Sequence, residues 1–77
     1  MRNISTIARE IRKDWQKPNY AALPYLDAMY LLGSLDDRYG YDSAASIIRY
    51  FLSNASSWRG ETAKRIKKEL KDLVGVK

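Results

Sequence analysis

Residues 4–15 read ISTIAREIRKDW, and their spacing decides how the rest of the chain is read. Ile4, Ile7, Ala8, Ile11 and Trp15 recur at the i, i+3, i+4, i+7 intervals of one helical face, while Arg9, Glu10, Arg12 and Lys13 fill the turns between them. This pattern predicts an amphipathic helix over 4–16. Lys17-Pro18-Asn19 ends it, because the residue before a proline is pushed out of the helical region.

The same period continues outward. A second helix is expected over 22–32, with Pro24 in its first turn and Gly33 as its C-terminal cap. Ser34-Leu35-Asp36-Asp37 reads as a cap and one short helical turn, closed by Gly40. Asp42 or Ser43 caps a third helix over 43–54, in which Ala44, Ile47, Ile48, Phe51 and Leu52 form the apolar stripe. Ser56 or Ser57 caps a fourth over 57–74, lined by Ala63, Ile66, Leu70 and Leu73, with Trp58 anchoring its entrance. Gly60 inside that first turn costs about 1 kcal/mol relative to alanine, which implies a close backbone contact. No useful length alternates with period two, and no Asn-Gly or Asp-Gly hairpin signal occurs. The expected fold is all-α: a compact bundle of three to four short helices in a single domain, 1–77.

The second helix differs from the others. Between Ala21 and Leu35 only Asp27 is charged. A helix apolar all round is either central to its bundle or buries one face in a second copy or a partner.

Composition narrows the chemistry. The 77 residues include no cysteine and no histidine, which removes disulfides, thiolate chemistry, the commonest general base and the commonest metal ligand. Asp36, Asp37 and Asp42 are the remaining candidates for acid–base or hard-cation chemistry, but two are adjacent and Asp42 has a capping explanation. A chain that buries only about 60% of its unfolded surface has little room for a cleft. A non-enzyme without cofactor or metal is therefore expected. No apolar run approaches the roughly 20 residues of a membrane span, and the first residues lack a signal-peptide core, so a cytoplasmic protein is expected.

The net charge is +5, held at the two ends of the chain around a mildly acidic middle. Lys64, Lys67, Lys68 and Lys71 fall within one arc of the fourth helix, and Arg9, Arg12 and Lys13 on the polar side of the first. If these helices pack side by side, the arcs would merge into one phosphate-binding strip. The plainer reading is a solvated face stitched by the i, i+4 pairs Glu61–Arg65, Arg65–Glu69 and Lys68–Asp72. The six tyrosines lie mainly in the acidic middle, where a protein partner suits them better than a phosphate backbone.

The run PYLDAMYLL (24–32), followed by DDRYGYDSAASIIRYFLSNASSWRGETAKRIKKELKDL (36–73), resembles small uncharacterised helical proteins of phages and prophages of Gram-positive bacteria. The likeness extends from about Ile11 to Leu73. It implies a small accessory protein at work in a bacterial host's cytoplasm. The leading expectation is a non-enzymatic protein, with a homodimer as one form, that binds and blocks a host protein or defence complex; anti-CRISPR or other anti-defence inhibition is its sharpest version. Its expected contact group is Tyr30, Arg38, Tyr39, Tyr41, Arg49 and Tyr50. The alternative is a DNA-binding or other nucleic-acid-binding module that uses Arg9, Arg12, Lys13, Lys64, Lys67, Lys68 and Lys71.

Overall fold

A computed structural model describes residues 2–75 except Leu35 and Tyr41, with Tyr39 described in its backbone alone. It contains α1 (Ile4–Asp14), α2 (Leu23–Tyr30), β1 (Arg38–Tyr39), β2 (Asp42–Ser43), α3 (Ala44–Ser53) and α4 (Glu61–Val74). The all-α expectation is correct; the start of α1 and the end of α4 fall where expected, and the other helix bounds move inward by one to four residues. Each helix packs on two neighbours: α1 on α2 and α4, and α3 on α2 and α4. This closed ring wraps one core of Ile4, Ile7 and Ile11 from α1, Leu26 and Met29 from α2, Ile47, Ile48 and Phe51 from α3, and Ile66 and Leu70 from α4. The apolar stripes read from the sequence face inward because burying such side chains is worth about 1.5–3 kcal/mol each.

The ends of the helices are where the structure departs from expectation. Asn3 precedes α1 but makes no side-chain cap. The amides of Ile4 and Ser5 instead donate to the carbonyls of Gly33 and Leu32, each at 2.9 Å, so the exit of α2 caps the entry of α1. Gly33 is therefore not the left-handed cap of α2; that helix ends at Leu31 in right-handed geometry. Asp37 organises the next loop by accepting from the Gly33 and Ser34 amides at 2.7 and 3.1 Å. Those two backbone bonds hold its carboxyl below the usual carboxylate range.

The expected turn over residues 34–37 is marked by the Asp37 amide donating to the Ser34 carbonyl at 3.1 Å and the Asp36 amide to the Ser34 hydroxyl at 3.3 Å. It is followed by an unexpected minimal antiparallel hairpin that pairs Arg38 with Ser43 and Tyr39 with Asp42. Gly40 makes the reversal at φ +63°, a conformation that side chains with a Cβ disfavour. Ser43 then caps α3 by accepting from the Ser46 amide at 3.2 Å, and Asp42 is spent in the hairpin.

Helix α4 begins at Glu61, four residues later than expected. Ser56 and Ser57 lie in the preceding turn, and Gly60 is the N-cap at φ 116°, ψ 179°. A Cβ built on Gly60 would meet nothing within 4 Å, so backbone conformation and not close contact requires the glycine. Trp58 sits in this linker and performs the anchoring expected of it. Its ring stacks on Trp15 at 5.8 Å, both rings meet Phe51 edge-on, and its Nε1 donates to Asp14 at 2.8 Å. One aromatic cluster thus ties the end of α1, the last turn of α3 and the entrance to α4.

Candidate functional site

Two outward features are organised enough to carry function: an aromatic face on α2 and α3, and the distribution of charge around α4. The aromatic face begins with α2, which is neither fully enclosed nor open on a whole side. Leu26, Ala28 and Met29 are buried between α1 and α3, whereas Pro24, Asp27 and Leu31, spaced i, i+3, i+7, form an exposed stripe. Tyr25 leans across to α3, where its ring meets Tyr50 at 5.4 Å with a 44° tilt. Tyr20 stands at the entrance to α2, next to Asn19, whose side-chain amide donates to the Asn54 carbonyl at the end of α3. Tyr20 is 88%, Leu31 73% and Tyr50 46% exposed, and all three lie on α2 or along its border with α3.

The expected contact group is divided by this arrangement. Tyr50 belongs to the aromatic face. Arg49, one residue earlier and about 100° round α3, turns to the α4 flank and donates to the Val74 carbonyl at 3.4 Å. Tyr30 is half-buried against the core, and Arg38 is exposed on β1. Tyr41 and the side chain of Tyr39 lie outside the described residues. The sequence reading passed over Tyr20 and Tyr25. Tyr25 sits a turn ahead of the buried Met29, but nothing in one chain's spacing says that its ring crosses to another helix.

The charged residues are also rearranged relative to expectation. Helices α1 and α4 do pack side by side, yet their basic arcs do not merge. The seam between them holds a four-membered ion network: Arg2 binds Glu10 and Glu69, each at 2.5 Å, and Arg65 binds Glu10. Arg65 crosses to α1 instead of pairing with Glu61 or Glu69 on its own helix; of the expected intrahelical pairs only Lys68–Asp72 forms, at 3.8 Å. Arg2, followed by Arg65, holds the Glu10 carboxyl below its ordinary range, and Arg2 does the same for Glu69. Glu69 and then Glu10 raise the Arg2 guanidinium.

With Arg65 and Glu69 turned toward α1, the lysine arc of α4 turns the other way. Lys67 donates to the Trp58 carbonyl at 2.6 Å and lies 5.8 Å from the centre of that ring. Lys71 shares a shallow depression with Arg49, Leu52 and Ser53 of α3. Partial burial, then the neighbouring charges of Lys71 and Arg59, lower the Lys67 ammonium below its ordinary value. Arg9, Arg12 and Lys13 are exposed on α1, and Lys13 borders Glu10, Asp14 and Thr62. Carboxylates therefore lie along the seam between the two basic groups.

Among the described residues, no three acidic side chains come together as a metal site, and no helix is long and apolar enough to cross a membrane. Compared with known proteins, the chain matches no family model, no curated protein and no solved structure.

Proposed function

We propose that this chain acts by contact alone, docking the aromatic face of α2 and α3 on a bacterial host protein and blocking it. The observation that carries this reading is that Tyr20, Leu31 and Tyr50, the large hydrophobic side chains left exposed among the described residues, all fall on α3, on α2 or at the ends of α2, although each would gain from burial. Tyrosines offer large contact area at the cost of only two side-chain torsions, and they are enriched in binding hot spots. Asp27 is the one charged residue of α2, so the face loses little on desolvation. The resemblance to phage and prophage proteins supplies the setting, a host cytoplasm, and makes a defence complex the sharpest choice of target. The proposed contact group also includes Arg38, which is exposed on β1, and, from the sequence reading, Tyr39 and Tyr41.

The test compares affinity capture from nuclease-treated bacterial lysate by the wild-type chain and by a Tyr20→Asp/Tyr50→Asp variant. The wild type is expected to retain a host protein that the variant loses, and the purified host protein is expected to lose activity on binding. Circular dichroism establishes that the variant remains helical. Equal capture by both chains, or an unimpaired target, would overturn the proposal. A Tyr39→Ala/Tyr41→Ala variant measures how far the contact reaches along the hairpin.

A further inference from the structure

We infer that the α3–α4 flank carrying Arg49, Arg59, Lys64, Lys67 and Lys71 is a second interaction surface, which binds the phosphate backbone of duplex nucleic acid without reading its sequence. The geometry assembles this group from three segments. Lys67 is fixed to the Trp58 carbonyl, one residue before Arg59. Lys64 and Lys71 lie about one turn to either side of Lys67 on the same arc of α4. Arg49 enters from α3 and shares with Lys71 the depression floored by Leu52 and Ser53.

None of these five side chains pairs with a carboxylate among the described residues. Glu10 and Glu69 are engaged with Arg2 and Arg65, and Asp72 with Lys68, while Glu61, three residues before Lys64, is exposed in the first turn of α4 and pairs with none of the five. Like charges held together without a counter-charge repel one another, and a polyanion relieves that repulsion while releasing its own counterions. From Lys64 to Lys71 the strip runs about 10 Å along the helix, the rise of roughly three phosphates on one strand.

The flank's composition selects the occupant. Its one aromatic ring, Trp58, is buried beneath Lys67, so no platform is presented for unstacked bases. The Ser53 hydroxyl is already donating to the Arg49 carbonyl at 3.0 Å. What remains is positive charge on flexible stems, the equipment for phosphates and not for base edges. This surface is independent of the proposed protein-binding face, since Arg49 turns to the α4 flank of α3 and Tyr50 meets Tyr25 of α2.

The experiment follows fluorescence anisotropy of two labelled short DNA duplexes of unrelated sequence as the purified full chain is added, from about 50 to about 200 mM salt. Both duplexes are expected to bind equally, with a slope of log affinity against log salt of roughly −3.5 to −4.5, the value for four or five neutralised phosphates. Lys64→Glu/Lys71→Glu should weaken binding about tenfold or more and flatten the slope by about two units. Arg9→Glu/Arg12→Glu, with the same change in net charge, should have a clearly smaller effect, and Tyr20→Asp/Tyr50→Asp none. Absence of binding at the lowest salt, equal damage from the α1 and α4 variants, or marked preference for one duplex would each overturn the inference. Tighter binding to single strands would overturn the choice of duplex. Competition by polyglutamate as effective as that by duplex would assign the flank to acidic proteins instead.

Discussion

Gly60 illustrates how much one residue can decide. Its φ of 116° and ψ of 179° place it in a region that only glycine occupies at little cost, and from that kink α4 sets off toward α1. Gly60→Ala is expected to lower stability by about 1–3 kcal/mol, read as an earlier urea midpoint at unchanged slope. Open space around the position means that crowding contributes nothing to this loss. In sequence the glycine was legible as unusual, but the wrong cause suggested itself. Ser56 and Ser57 are good capping residues and Trp58 an attractive helix-entry anchor, so a start at residue 57 put Gly60 inside the helix. The correct start depends on φ at one residue, which composition does not report.

At the scale of elements, the apolar stripes of α1, α3 and α4 were readable because a helix buried on one face repeats its requirement every turn. The hairpin was not, since two paired residues on each strand leave no alternation to detect. The charge network lay equally out of reach. Arg65 has carboxylates within one turn on either side in its own helix, and only the packing of α1 against α4 shows that it prefers Glu10. This network makes stability depend on acid in a definite direction. Glu10 and Glu69 titrate lower in the folded chain than in the unfolded one, so their contribution is fully present above the unfolded carboxylate range. It is lost as pH falls through their depressed folded values. Thermal melts should therefore show a falling midpoint below about pH 4.5, and a Glu10→Gln/Glu69→Gln variant should show a shallower fall. These side chains are partly solvated, so near neutral pH the double variant should cost on the order of 1 kcal/mol in urea denaturation. Truncating the aromatic cluster should cost far more. Trp15→Ala removes a ring that touches both Trp58 and Phe51, and should lower unfolding free energy by about 3–5 kcal/mol, with loss of near-ultraviolet circular dichroism.

Across the whole molecule, the ring of four helices puts unlike faces on the two flanks of α3: tyrosines toward α2 and cations toward α4. The candidate site was thus only half legible. Residue types pointed to aromatic and basic surfaces, but helical spacing within each segment could not say which flanks would adjoin. The merged α1–α4 strip fails because the seam that holds those helices together pairs Arg2 and Arg65 with Glu10 and Glu69, which sets carboxylates between the two basic arcs. The cationic flank also carries a stability consequence. Lys64 lies near the N-terminal end of α4, where the helix dipole disfavours a cation, and it belongs to a group of like charges. Lys64→Glu should accordingly raise unfolding free energy by about 0.5 kcal/mol at low salt, and added salt should shrink the gain.

The bonds from the Ile4 and Ser5 amides to the carbonyls after α2 turn the beginning of α1 into a clasp on a segment nearly thirty residues downstream. Amide protons at the first turn of a helix are ordinarily among the quickest to swap with deuterium. Here, releasing these two requires the α2 exit to come away as well. In hydrogen–deuterium exchange they should persist on the timescale of the core, so that fraying starts elsewhere in the molecule.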